Sequence, residues 1–349
     1  FVLIFLAVSI IPIVFISIVS FARAKKSLEN TALRGLHIAA LAKKAEVMEY
    51  LSGKKGRTID FASDGFIRDQ VEFISQSPPI TEKIRASRAL SAHLRVNKKP
   101  LDEEILEIRV LDLDGKIIGA SEGEYLLGFE TGKHQPYFLE GLHNAYIQDG
   151  GIFMYRGAEE EIIAIGTPLK SRTSDKILGV LVNFYTLANI QDVLLGIRNH
   201  QWDEESIAGG KETTGDIFLV NQQGLLLTPS KKLGGFKPLK TKIITDPVSQ
   251  GTTSSLTINN SWIDLRGTVV LGATALLRVE KDWKWILVIE QDKNEVLKPV
   301  YELRNFSIST GLVVLLLVLL IGYVSGWSIV KPIREATEAA EKISKGEAW

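Results

Sequence analysis

Two stretches of the chain carry no charge: Phe1 to Ala22, and Asn305 to Val330 with GLVVLLLVLLIG at its centre. At roughly 1.5 Å rise per residue, each is long enough to cross a hydrocarbon core about 30 Å thick. The pattern therefore predicts two transmembrane helices, 1–22 and 305–330. Ala22-Arg23-Ala24 has the small-x-small form of a signal-cleavage site, so a removable leader is the rival reading of the first stretch. Its apolar run exceeds the usual signal core of about 7 to 15 residues, which favours an anchor. The chain opens on Phe and stops within a helical pattern at Trp349, and reads as a fragment of a longer protein.

Between the two spans the period of the apolar positions changes twice. Leu28, Ala32, Leu36, Ala39, Ala42 and Leu51 mark one stripe of a helix from Ala24 to about Ile74, which predicts a stalk over 23–78. Pro78-Pro79 ends it, and Ile80 to Leu94 reads as a shorter helix before a loop at Lys98-Lys99-Pro100. From Glu107 the pattern becomes short strands with turn punctuation. EIRVLD, a tight turn at Asp114-Gly115 and KIIGAS predict a hairpin. Further strands are expected at Tyr146 to Tyr155, Glu161 to Pro168 and Ile177 to Tyr185, with a short helix at Tyr137 to His143, giving five antiparallel strands. LGVLV, from Leu178, is continuously apolar, as befits a central strand covered on both faces.

The same grammar then returns. VLDLDGKII (Val110 to Ile118) is echoed by LVNQQGLLL (Leu219 to Leu227), and IGTPL (Ile165 to Leu169) by LGATA (Leu271 to Ala275). The offsets are 109 and 106 residues (221 − 112 and 272 − 166), so a tandem pair of similar α/β modules is expected, 79–196 and 197–304. The second closes on WKWILVIEQ and a helix from Asn294 that leads into the second span. The fold class is thus α/β of the α+β kind: a stalk helix, two antiparallel-sheet modules and two flanking spans.

Composition narrows the function. Lys plus Arg (41) balance Asp plus Glu (41), so no basic surplus exists to hold a nucleic-acid backbone, and no nucleic-acid partner is expected. With no cysteine, disulfides, thiolate metal sites and cysteine nucleophiles are excluded. The histidines, His37, His93, His134, His143 and His200, form no HExxH or i, i+4 pair, and no metal or other cofactor is expected. Asp112-Leu113-Asp114-Gly115 has the look of a calcium-loop start, but no Glu follows at the required place and a hairpin turn accounts for it. The acidic runs at Asp102 to Glu104, Glu159 to Glu161 and Asp203 to Glu205 read as solvated faces. With no phosphate loop or nucleophile elbow, no catalytic residue is assigned.

The order of span, stalk, paired modules, span and short amphipathic helix resembles the double Cache sensors of bacterial transmembrane receptors. The most specific stretches are QPYFLEGL (Gln135 to Leu142), EIIAIGTPL with ILGVLVNF, TGDIFLVNQQGLLLTPS, Arg266-Gly267 and WILVIEQDKNEV. The tail SIVKPIREATEAAEKISKGEAW is similar to the first helix of a HAMP linker, with Ile333, Ala336, Ala340 and Ile343 at a/d spacing over 331–349. Lys331, Arg334, Lys342 and Lys345 after the second span are nearly matched by Arg23, Lys25 and Lys26 after the first, so charge alone does not orient the chain. The likeness to HAMP puts Lys331 onward in the cytoplasm and the modules on the extracytoplasmic side of a bacterial inner membrane.

The resemblance implies a small extracytoplasmic ligand in the membrane-distal module, at Gln135, Tyr137, Phe138, Tyr155, Asn183 and Tyr185. Aromatic walls with amide and hydroxyl tips suit a small polar molecule. The Arg-x-Trp-Tyr run and the Asp of the family's amino-acid-binding subgroup are replaced by Gln135-Pro136-Tyr137-Phe138 and Asn183-Phe184, which speaks against an α-amino acid. His134 or Arg156 offers positive charge nearby. In the second module Trp262, Trp283 and Trp285 read as core, and that module as a transmitter. The implied partners are membrane lipid and a second copy, paired through stalk, transmembrane and HAMP helices. The implied output is a histidine kinase, with a chemoreceptor or diguanylate cyclase as alternatives. An anchored extracytoplasmic enzyme and a structural protein are the rivals from other classes.

Overall fold

The computed structural model describes residues 2–122, 127–129, 132–156, 158–196, 214–230, 232, 236–253, 259–325, 327–328 and 331–344. His200, Asp203 to Glu205 and Lys345 lie outside them, as does the side chain of Ile343. The chain forms two compact units: Leu33–Lys293, and Phe1–Ala32 together with Asn294–Trp349.

The first unit begins with the later turns of α1 (Val2–Ala62). The stalk does not run unbroken to Ile74 as its periodicity predicts. Asp64 interrupts it, because its carboxylate accepts a hydrogen bond from the Ile67 N–H (3.0 Å) and so caps a new helix, α2 (Gly65–Ser75). After Pro78-Pro79 comes α3 (Ile80–His93). The loop expected at Lys98-Lys99-Pro100 is instead helical, a π turn at Leu94–Lys98 followed by a 3₁₀ turn at Lys99–Leu101.

The first sheet holds β1 (Ile105–Asp112), β2 (Ile117–Ala120), β3 (Tyr146–Ile147), β4 (Gly151–Tyr155), β5 (Ala158–Lys170) and β6 (Ile177–Thr186). Their order is β2-β1-β6-β5-β3, with β4 also on β5, and all these pairings are antiparallel. There are six strands rather than five, because the run from Tyr146 to Tyr155 is broken at Asp149-Gly150, where Gly150 takes a positive φ. The helix α4 (Pro136–Leu139) lies over one face, and α5 (Leu187–Leu195) leaves β6 with Thr186 as its cap and Gly196 as its left-handed stop.

The second sheet, β7 (Asp216–Asn221), β8 (Asn259–Ile263), β9 (Val269–Leu277) and β10 (Trp285–Asp292), has the order β7-β10-β9-β8. In both sheets the last strand lies between the first and the penultimate one. α6 (Asp246–Thr253) accompanies this sheet, and its Val248 belongs to the core formed with Phe218, Val220, Trp262, Ile286 and Val288. The echo seen in the sequence is a shared turn. Asp112 Oδ1 accepts from the N–H groups of Asp114 and Lys116 (3.0 and 2.9 Å), and Asn221 Oδ1 accepts from those of Gln223 and Leu225 (3.0 and 2.9 Å). Each turn is closed by a glycine at positive φ, Gly115 (+77°) or Gly224 (+83°).

The other unit contains the apolar start of α1, the long helix α7 (Lys293–Ser325) and the short α8 (Lys331–Ser344). Among the described residues, one helical stretch, Lys293–Val324, is long and apolar enough to cross a membrane. Within this unit Arg304 lies over the rings of Phe21 and Tyr301, 5.8 and 5.3 Å from their centroids. On α8, Arg334 donates to Glu338 one turn on (2.9 Å).

Candidate functional site

The face of the first sheet beneath α4 is built by the two-residue period of β1 and β6. Glu107 and Arg109 stand opposite Phe184 and Val182, and Val180, Val182 and Phe184 share a core with Tyr137 and Phe138. Arg109 donates to both carboxylate oxygens of Glu107 (2.9 and 3.0 Å), and these side chains are only 7% and 4% exposed. The guanidinium lies 4.6 Å from the Phe153 centroid and 5.3 Å from that of Phe184. Those two rings stack at 4.7 Å, and Tyr137 meets Phe184 edge-on at 5.6 Å. Burial raises the Glu107 carboxyl above its ordinary range although Arg109 pulls the other way, and burial pushes the Tyr137 hydroxyl up to about 12.

A glycine permits this arrangement. A Cβ on Gly166 of β5 would stand 1.9 Å from the Tyr137 carbonyl oxygen, so only a bare backbone lets α4 approach so closely. The Tyr137 N–H donates to Gln148 Oε1 (3.2 Å), while the amide of Gln148 donates to the exposed Gln135 (3.4 Å). Tyr155 is half-buried, two residues along β4 from Phe153, and Arg156 lies over its ring at 5.2 Å. Arg156 and Lys99 both bind Glu122 (3.2 and 2.6 Å). Partial burial raises the Glu122 carboxyl, but these two cations outweigh it and hold the group below its usual value. His134, close by in the sequence, is exposed.

Asn183 and Tyr185 lie elsewhere. They flank Phe184 on β6 and so point to the opposite face, where α1 packs. Asn183 Nδ2 donates to Thr58 Oγ1 (3.1 Å), and the Tyr185 hydroxyl donates to Asp102 (3.4 Å). Lys54 binds the same Asp102 (2.8 Å) and sits 5.1 Å from the Tyr185 ring centroid. Asn183 Oδ1 is buried there without a hydrogen-bond partner. The six residues expected at one site are therefore divided by the sheet. Tyr137, Phe138, Tyr155 and Gln135 belong to the α4 side, and Asn183 and Tyr185 hold the stalk. Glu107, Arg109, Phe153 and Phe184 complete the α4 side and were not anticipated; the strand period marks them.

The tryptophans of the second sheet do more than fill a core. Trp285 Nε1 donates to Asp149 (2.6 Å) and Trp283 Nε1 to the Tyr146 hydroxyl (3.0 Å), both on the first sheet's β3–β4 segment. Asn221 also donates to Asp149 (3.3 Å), and burial raises that carboxyl above its ordinary value. Trp262 stays inside its own sheet. Among the described residues, no group of three or more His, Cys, Asp or Glu side chains is placed to hold a metal ion.

No protein-family model and no curated protein sequence matches the chain. Similar solved structures exist. One is the ligand-binding domain of the Pseudomonas aeruginosa PAO1 amino-acid chemoreceptor PctB with L-Gln, at 17% identity and TM-score 0.48, covering 75% of this chain and 91% of that one. Another is the sensory domain of the Campylobacter jejuni chemoreceptor Tlp3 with isoleucine, at 14% identity and TM-score 0.49, covering 78% and 97%. A third is the ligand-binding domain of the Pseudomonas fluorescens chemoreceptor CtaA with L-serine, at 16% identity and TM-score 0.49, covering 77% and 99%.

Proposed function

We propose that this chain is the sensory and membrane-spanning part of a transmembrane receptor, and that a small polar ligand is read on the α4 face of the first sheet. One observation carries the reading. Strand β6 presents Phe184 to the aromatic face that holds the Glu107–Arg109 pair, and presents its neighbours Asn183 and Tyr185 to Thr58 and Asp102 beside the stalk helix. A ligand that displaces β6 is felt by α1 without any intermediate element. At the far end of the chain, β10 ends at Asp292 and α7 begins at Lys293, so the second sheet is joined to an apolar helix with no linker residue.

In this reading Phe1 to Ala22 and Asn305 to Val330 are both membrane spans, the sheets are extracytoplasmic, and α8 opens a HAMP linker toward a histidine kinase or another transmitter. The ligand contacts Tyr137, Phe138, Phe153 and Phe184, with Gln135 and Tyr155 at the rim, and the buried ion pair orients its polar groups.

A thermal-shift screen of the whole chain in detergent, against organic acids, amines, amino acids, purines and sugars, tests the reading. A ligand at 100 times its dissociation constant should add about 2.7 kcal/mol of stability. Phe153→Ala should abolish that shift, and Asn183→Ala should leave the affinity unchanged. Loss on Asn183→Ala with retention on Phe153→Ala would move the site to the stalk face. Turnover of any compound in the same screen would favour the anchored enzyme instead.

A further inference from the structure

The second sheet holds a buried carboxylate far from the α4 face in sequence. Glu290 lies on β10, two residues before the strand ends and α7 begins, and is 5% exposed. Its register partner on β7 is Asp216, 2% exposed, and its partner on β9 is Gly272. A Cβ on Gly272 would stand 2.1 Å from the Trp262 ring, so the glycine leaves room for that indole, whose Nε1 donates to Glu290 (3.1 Å).

The two carboxylates differ in their donors. Asp216 accepts from the Ser230 hydroxyl and from the N–H groups of Ile217 (2.9 Å) and Lys232 (3.4 Å). The donor to Glu290 is a neutral indole. The cations nearby are engaged by other acids: Lys232 Nζ binds Asp292 (2.8 Å), and Arg266 binds Asp292 (2.8 Å) and Asp264 (2.6 Å). Lys232 and Arg266 hold Asp292 below its usual value even though partial burial raises it. The helix α6, packed on the same sheet, brings one further titratable residue, Asp246, which is exposed.

We propose that the second sheet is a sensory input in its own right, with the proton as its ligand, and that the charge of Glu290 beside Asp216 sets how β10 is seated where it becomes α7. Glu290 and Asp216 are register partners in a buried pair of strands, so a charge on Glu290 meets repulsion from Asp216, which favours the protonated form of Glu290. Burial, reinforced by the Asp216 charge and opposed by the Trp262 bond and Lys232, pushes the Glu290 carboxyl up to about 7. Below that pH the neutral carboxyl leaves Lys232 on Asp292. Above it the proton passes to solvent, the new charge repels Asp216 and competes for Lys232, and the clasp on Asp292 beside Lys293 loosens. This response needs no occupant of the first sheet.

A carboxyl raised in the folded state gives its full contribution below its ordinary value of 4.5, and loses it as pH rises through about 7. The test uses the whole chain in detergent with 5-fluorotryptophan incorporated, and the Trp262 resonance identified by its loss in Trp262→Phe. The fluorine signal should titrate near pH 7, and the melting temperature should fall from pH 5.5 to 8.5. Glu290→Gln should remove both effects, leaving the protein at pH 8.5 as stable as the parent at pH 5.5. Asp216→Asn, which deletes the like charge, should move the titration to lower pH. A Trp262 signal unmoved between pH 5 and 9, or a titration that survives Glu290→Gln, overturns the proposal, and the unaltered chain alone supplies the first of these results.

Discussion

The pair Glu107–Arg109 is buried on a sheet face otherwise lined by aromatic rings, and removing one member strands the other. Arg109→Met leaves a carboxylate without its bidentate partner, and should lower stability by about 3–5 kcal/mol. Adding Glu107→Leu to it should recover most of the loss, because two apolar side chains of similar volume need no compensation there. Chemical denaturation of the parent, the single and the double variant measures this, and equal losses in both variants would show that the ring packing rather than the ion pair holds the face. The pair was within reach of sequence reasoning. EIRV places Glu107 and Arg109 two apart on a strand, and an acid and a base on the inward face need each other. The parity of LVNFYT, from Leu181 to Thr186, was equally legible: with Val182 in the core, Phe184 must join it, and Asn183 and Tyr185 must point away. The family resemblance suggested residue identities at the site, while the strand period governs which of them share a face.

At the scale of elements, the tandem Asx-x-x-Gly turns offer a matched pair of experiments. Gly115 and Gly224 have nearly the same positive φ, so an L side chain is strained at either position by about 1–2 kcal/mol. Their surroundings differ. A Cβ on Gly115 would stand 2.6 Å from the backbone nitrogen of Lys133, whereas on Gly224 the nearest atom is the Ile243 carbonyl oxygen at 3.3 Å. Gly115→Ala should therefore lower the melting temperature more than Gly224→Ala, and an equal drop would mean that the Lys133 segment yields freely. These turns were readable because a side-chain acceptor, a fixed spacing and a glycine recur together. The interruption of the stalk at Asp64 was not, since the apolar stripe continues in α2 through Ile67, Val71 and Ile74 and only the capping carboxylate marks the join. The bonds from Trp283 and Trp285 to Tyr146 and Asp149 were also hidden, because a two-residue period identifies a shared face and says nothing of what covers it.

At the scale of the molecule, the stalk leaves one face of α1 uncovered. Val47, Leu51 and Thr58 are buried, while Ile38, Leu41 and Ile59 are 67%, 44% and 49% exposed. Leu41 and Ile59 are five full turns of about 3.6 residues apart and lie on one line of the helix, with Ile38 about 60° to its side. The exposed Ala45 and Ser52 continue that line without adding a charge. Exposed apolar side chains on one side of a water-facing helix call for a partner surface, and a second copy of the same helix in a closed, two-fold pairing covers both at once. The chain is therefore expected to be a dimer in detergent. Leu41→Glu combined with Ile59→Glu should shift it to monomer in light scattering, with little change in melting temperature at low protein concentration, since neither side chain is part of the folded core. A parent chain that is monomeric, or a double variant that stays dimeric, would remove the stalk from the interface. The outcome bears on signalling as well. For the receptor proposed above, a ligand that takes it from one part in a hundred active to ninety-nine must favour the active state by roughly 5.5 kcal/mol, and a pairing of two stalks, each bonded to its own β6, would let two such sites act on one helical interface.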